Sequence, residues 1–470
     1  MGFVLSVLYF VTYYLTPATM FGPLAEYRIE LILAVLVLVV SLPALTKSFV
    51  LKTSQSLALV GLALAVVFSV LVAEHSPGGS VQAFMDYIPN ALAYFLVCLH
   101  CNSKKKLKAL VLMLLCVCLF VIAHGSLDLL HGVPQLAPMQ PGQSGTEEAS
   151  VVDVWNMEHP YLLATRDDAG KLLCRLRGLG IINDPNDFGQ LTACVIPLMF
   201  IFWQAKKKLR NLVCVIVPAC ALIFGIYLTQ SRGALVALTA MAVVAARRRI
   251  GTLPALLLAG GLFIGAMALH FTGGREISTT AGEDRTILWG EGLELLKAHP
   301  LFGVGFEHMA DFTEEYRTAH NSLVVCAAEL GLFGLYFWSL FLVPTVRDAL
   351  AINSPEKVDE GKPLVSEKEL FPQATRKIEE VDKAEINHLG RLLVLSLTGF
   401  LFAGWFLSRA FVMTLFLLGG MVEVVYEMAL RRGMIVPRQR PARVLVYAVE
   451  LSVSAVIVMY IMIRTANFTH

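Results

Sequence analysis

A chain of 470 residues that is 56% hydrophobic and only 16% charged lies far from soluble globular proteins, which carry about 25% charged and 45–50% apolar residues. Its formal net charge of +2 gives no electrostatic case for a nucleic-acid partner. Its mean hydropathy of +0.67 points to an all-α polytopic membrane protein.

Stretches of about 17–25 apolar residues can cross the hydrocarbon as helices. Thirteen segments are candidates: Phe3–Leu15, Glu30–Leu45, Leu57–Ala73, Val81–Leu99, Leu107–His124, Phe188–Trp203, Leu212–Leu228, Gly233–Ala246, Leu253–His270, Ser322–Val343, Leu392–Leu407, Phe411–Leu430 and Val444–Met462. The first is the weakest, and no basic n-region precedes it, so no cleavable signal peptide is expected. Basic clusters occur at Lys47/Lys52, Lys104–Lys108, Lys206–Arg210, Arg247–Arg249, Arg347–Arg391 and Arg431–Arg443. Each follows an even-numbered span, so all share the cytoplasmic side by the positive-inside rule. The N-terminus is then inside and the C-terminus outside. Most of the nine cysteines, the Cys98/Cys101 pair included, lie in apolar runs and read as small buried hydrophobes; Cys174 stands alone in a polar loop.

The chain divides accordingly. Residues 1–124 are N-terminal spans, 125–187 a first long outer loop, and 188–270 spans joined by an SRG turn. Residues 271–320 form a second outer segment, 321–346 a span, 347–390 a charged inner loop and 391–470 the C-terminal spans. Within the first outer loop VPQLAPMQPGQSG reads as flexible coil, and YLLATRDDAGKLLCRLRG as a hairpin turning at Asp168-Ala169-Gly170. In the second, Asp284 is placed to cap a helix from Arg285 to about Ala298, stopped by Pro300, with Trp289, Leu293 and Leu296 as its apolar stripe. The run Ile352–His388, rich in Lys and Glu, reads as a solvated loop.

Polar residues at the outer ends of these spans form a constellation. Arg175, Arg177 and Asn186 precede the sixth span, Ser231-Arg232-Gly233 turns between the seventh and eighth, and Arg285 and His320 come from the second outer segment. A guanidinium is a planar, permanently charged fork suited to phosphate oxygens. Two or three converging would hold a diphosphate and stabilise its developing charge without a metal or cofactor. A neutral imidazole such as His320 can take a proton from an attacking hydroxyl. The structural alternatives are a cap of the tenth span by His320-Asn321, a cap of the sixth by Asp184-Pro185, and a plain turn at His299-Pro300.

The order RGLGIINDPNDFG, LTQSRGA, DRTILWGEGLELLKAHPLFGVG and AHNSLVVCAAELGLFGLYFW, over about Arg175–Trp338, resembles the O-antigen ligase/polymerase superfamily of bacterial membrane glycosyltransferases. That resemblance implies a GT-C-type fold of about 12–13 inner-membrane helices and a metal-independent active site facing the periplasm. It also implies a glycan donor carried on undecaprenyl diphosphate. The family's essential arginines and histidine fall on Arg232, Arg285 and His320, with Arg177 a further contact. Arg175, Asn186, Asn321, Gly303 and Gly305 are candidates for substrate binding. Lipid A core, another lipid-linked repeat or a protein hydroxyl could be the acceptor; no dedicated protein-binding domain is visible, which favours the first two. The competing class is a transporter of a lipid-linked sugar or small anion, which would show internal repeats and polar sites at the midplane. No repeat is visible, and the basic residues gather at one surface.

Overall fold

A computed structural model describes residues 1–20, 22–45, 50–132, 146–166, 172–269, 271, 279–314, 316–353, 373–435 and 441–467. In chain order the helices are α1 (Gly2–Leu15), α2 (Pro17–Met20), α3 (Ile29–Leu45), α4 (Ser54–Glu74), α5 (Pro77–His100), α6 (Lys104–His131) and α7 (Thr146–Glu158). A hairpin of β1 (Leu162–Arg166) and β2 (Leu172–Leu176) follows, antiparallel, with Ala164 opposite Cys174. Then come α8 (Pro185–Leu198), α9 (Lys208–Asn211), α10 (Val217–Thr229), α11 (Arg232–Ile250), α12 (Thr252–Ala268) and α13 (Thr279–Ala298). The chain ends with α14 (Ser322–Asn353), α15 (Gln373–Gly404), α16 (Met413–Leu430) and α17 (Pro441–Asn467).

Among the described residues seven helices are long and apolar enough to cross a bilayer: Ser54–Glu74, Lys104–His131, Lys208–Thr229, Ser322–Asn353, Asp382–Gly404, Met413–Leu430 and Ala442–Thr465. Three shorter apolar helices, α1, α3 and α12, join them. The protein is an all-α polytopic membrane protein. The other three expected spans also fall on helices, α5, α8 and α11, where polar residues dilute the apolar run: Asp86 and Asn90 in α5, Asn186 and Asp187 in α8, Arg247–Arg249 in α11. Helix starts obey local chemistry. Thr53 caps α4 by accepting from Ser56 N, and Ser76 caps α5 just ahead of Pro77.

The helices form two compact units. Met1–Val40, Lys104–Ser278 and Thr398–Arg409 make the first, and Ser41–Ser103, Thr279–Leu397 and Ala410–His470 the second. In the first, Ala193, Ile226, Ala234, Ala237, Met241, Ala403 and Leu407 form a core in which small residues let α8, α10, α11 and the end of α15 approach closely. In the second, Phe416 of α16 meets Tyr87 of α5 and Phe341 of α14 edge-on.

Several expectations need correction. Helix α13 begins at Thr279, so Asp284 lies inside the helix and is not its cap; Arg285 stands in its second turn. Part of the charged run Ile352–His388 is helical, because α15 starts at Gln373; residues 354–372 lie outside the described ones. The hairpin forms where expected, but its turn at Asp168–Gly170, like VPQLAPMQPGQSG, is outside them too. Cys116, Cys214 and Cys220 are exposed on helix faces, whereas Cys98, Cys101, Cys118, Cys194 and Cys326 are buried.

The tenth span is not continuous. At Gly331 the backbone of α14 turns to φ 64°, ψ −166°, and the turn after α13 is laid into the break. Val304 N and Gly305 N donate to the carbonyls of Ala328 and Glu329 (3.0 and 3.1 Å), and Leu332 N and Phe333 N donate to those of Pro300 and Leu301 (2.9 and 3.1 Å). Non-helical backbone is tolerated at such a depth only when its polar groups are satisfied inside the protein. A Cβ on Gly303 would sit 2.3 Å from the Glu329 carbonyl, and one on Gly331 2.4 Å from the Leu301 oxygen. Both positions have positive φ as well. Gly303→Ala and Gly331→Ala should each cost about 2–5 kcal/mol. A fall in the thermal midpoint and folded yield of detergent-solubilised protein would register it. Gly261→Ala in α12, where a methyl meets open space, should leave both unchanged.

Candidate functional site

In the first unit the turn that carries Arg232 is built from side chain to backbone upward. Gln230 adopts a left-handed conformation (φ 50°) that ends α10, and Ser231 caps α11 by accepting from Ala234 N at 3.3 Å. Arg232 is therefore the first residue of α11, half-buried. The N-terminal dipole of α11 adds to its charge, an arrangement that favours anions. Gly189 of α8 gives the turn room: a Cβ there would lie 3.1 Å from both Ser231 Cβ and Ala234 Cβ.

Arg175 holds this turn in place. Its guanidinium is buried; Nε donates to the Thr229 carbonyl and an Nη to Asn186 Oδ1, each at 3.0 Å. It thereby joins β2, the end of α10 and the start of α8. Asn186 follows Asp184, which caps α8 by accepting from Asn186 N at 2.7 Å, with Pro185 in the first helical position. Arg177 turns the other way, donating to the carbonyls of Pro160 (3.1 Å) and Asn156 (3.0 Å). Burial lowers its pKa from the usual value, against an opposing pull from Asp184. Arg409, which no sequence motif marks, pairs with the buried Asp187 through Nε (2.7 Å) and through an Nη.

In the second unit α13 packs by its apolar stripe. Leu288, Trp289, Leu293 and Leu296 are buried, and at Gly292 a Cβ would strike Val324 of α14 at 2.5 Å. Arg285, half-buried, lies one turn before Trp289 on the same face. The Trp289 indole donates to the Ala319 carbonyl at 2.8 Å, tying the residue before His320 to the helix that bears Arg285. His320 is exposed, at φ 47°, a left-handed conformation that costs a non-glycine residue about 1–3 kcal/mol and tends to mark functional positions. Asn321 caps α14, its Oδ1 accepting from Leu323 N (2.9 Å) and Val324 N (3.3 Å). Its Nδ2 is buried and has no hydrogen-bond partner among the described residues.

The structure thus groups Arg175, Asn186 and the Arg232 turn in one unit, and Arg285, His320 and Asn321 in the other. Gly303 and Gly305 have a backbone role at the break in α14. The segment beyond them is pinned by groups that no sequence motif announced: Phe306 N donates to Ser69 Oγ at 3.1 Å, His308 Nε2 meets Glu74 at 2.8 Å, and the Glu329 carboxylate accepts from the backbone of Glu307 and Met309.

Residues 217–339 match the sequence model of a known family, O-antigen ligase. The matched stretch includes Arg232, Arg285 and His320, and it runs from the first unit into the second. No curated protein matches the chain.

The bonding of Arg175 separates anchoring from chemistry. Arg175→Ala leaves the Thr229 carbonyl and Asn186 without their buried donor, at a cost of about 2–4 kcal/mol. Thermal unfolding of the purified protein should show this loss. Arg232→Ala, at a half-buried helix start, should shift the midpoint far less.

Proposed function

We propose that this chain, a membrane glycosyltransferase of the O-antigen ligase/polymerase superfamily, moves a glycan from undecaprenyl diphosphate to an acceptor hydroxyl. Arg232 and Arg285 bind the diphosphate, and His320 serves as base. The observation that carries the reading is that one O-antigen ligase match, residues 217–339, includes all three side chains. The acceptor oxygen attacks the anomeric carbon while its proton passes to the His320 imidazole. The bond from that carbon to the diphosphate oxygen breaks, and the leaving group keeps the electron pair. The guanidinium of Arg232, backed by the N-terminus of α11, and that of Arg285 stabilise the growing charge, the role a metal plays in other transferases. A single displacement inverts the anomeric centre. Asn321, the next residue in the chain after His320, and Arg177 are further contacts to substrate in this reading.

In this reading the fold is GT-C-like, the membrane is the bacterial inner membrane, and the site faces the periplasm. The acceptor is lipid A core or another lipid-linked repeat, with a protein hydroxyl as the third option. A broken helix such as α14 also occurs in transporters, where free backbone groups bind the solute. Here the turn at residues 300–305 takes up those groups, which favours an enzyme.

Purified protein supplied with lipid-linked glycan and a choice of acceptors tests the proposal. Arg232→Ala, Arg285→Ala and His320→Ala should each lower transfer by about 10²–10⁴-fold while the protein stays folded. Undiminished transfer in all three would remove the mechanism.

A further inference from the structure

The helix that bears Arg285 has a second polar feature on its other half. Leu293, Glu294 and Lys297 of α13, with Tyr460, Ile463 and Arg464 of α17, line a cleft of about 450 Å³, within the size range of small-molecule sites. Leu293 is buried, while Glu294, Lys297, Tyr460 and Arg464 are exposed.

The position of the cleft narrows its occupant. The apolar run of α17 separates Arg443 from Arg464 by about 30 Å of helix axis, close to the thickness of the hydrocarbon. Arg464 and Tyr460 therefore stand at the interface opposite the Arg431-Arg432-Arg443 cluster, the level at which aromatic and basic side chains meet headgroups. An ammonium and a guanidinium select phosphate oxygens. Glu294 repels a bare phosphate but accepts hydrogen bonds from hydroxyls, and the Tyr460 ring offers a flat apolar face of the kind sugars cover.

From these features we infer that the cleft between α13 and α17 binds the phosphorylated sugar headgroup of a glycolipid. Lys297 and Arg464 hold the phosphate, and Glu294 the sugar hydroxyls. Lys297 follows Arg285 by about 18 Å along the helix axis, a span that an oligosaccharide bridges and a single sugar does not. The bound glycolipid is then the acceptor of the transfer reaction; that step rests on the transferase reading, whereas the binding does not.

Binding is measured on the full-length protein in detergent without any donor, so its outcome is independent of the transfer chemistry. The probes are a glycolipid with a phosphorylated disaccharide headgroup, phosphatidic acid, a free sugar phosphate and inorganic phosphate. The wild-type protein should bind the glycolipid at least tenfold more tightly than any other probe. The double variant Lys297→Ala/Arg464→Ala should lose at least tenfold in that affinity, and Glu294→Gln should narrow the preference for glycolipid over phosphatidic acid. Gly261→Ala, whose added methyl meets open space on α12, should bind like the wild type. Unchanged affinity in the double variant would overturn the site. Equal binding of phosphatidic acid, or of the free sugar phosphate, would overturn the glycolipid assignment. In transfer assays the double variant should raise the acceptor KM at least tenfold with kcat within twofold; lost binding with an unchanged KM would overturn the acceptor role.

Discussion

Four backbone hydrogen bonds across the break at Gly331 organise the segment of the second unit that leads to His320. A left-handed residue inside a membrane helix exposes carbonyls and amides that water cannot reach, and each would cost several kcal/mol if left unpaired. The turn Pro300–Gly305 supplies the missing partners, and it can do so only because Gly303 and Gly331 have no side chains to keep the two backbones apart. With that turn fixed, the chain leaving α13 has one path. The segment that follows is pinned to Ser69, Glu74 and Glu329 before it reaches His320.

The first unit solves the same problem with a side chain. Arg175 is buried where the end of α10 and the start of α8 leave a carbonyl and an amide oxygen in need of donors. A guanidinium satisfies both at once, which a lysine could not do with the same planar geometry. The turn it braces presents Arg232 at a helix N-terminus, where charge and dipole reinforce each other. In each unit, then, a group with a structural role is linked to one that is half-buried or exposed: Arg175 braces the turn that carries Arg232, and Asn321 caps α14 directly after His320.

Much of this was legible in the chain itself. Apolar runs of spanning length announce helices by composition, and every expected span falls on one. The apolar stripe Trp289, Leu293 and Leu296 was readable because helical periodicity is local. What escaped was long-range. Gly303 and Gly331 sit in segments that carry the family resemblance, but nothing in their order says that one backbone passes through the break in the other. Arg175 looks like any loop arginine until the hairpin lays it against Thr229, 54 residues away. Arg409 stands alone between two apolar runs, and only its pairing with Asp187 gives it a place. Asp284 is a good capping residue by type, yet α13 already begins at Thr279.

The central claim is that Arg232 and Arg285 grip the diphosphate of one donor while His320 acts only on the acceptor. Equilibrium binding of undecaprenyl diphosphate, with no acceptor present, tests it most directly. Arg232→Ala and Arg285→Ala should each weaken binding by an order of magnitude or more, and His320→Ala should bind as the wild type does. Wild-type affinity in both arginine variants, or a loss confined to His320→Ala, would contradict the account.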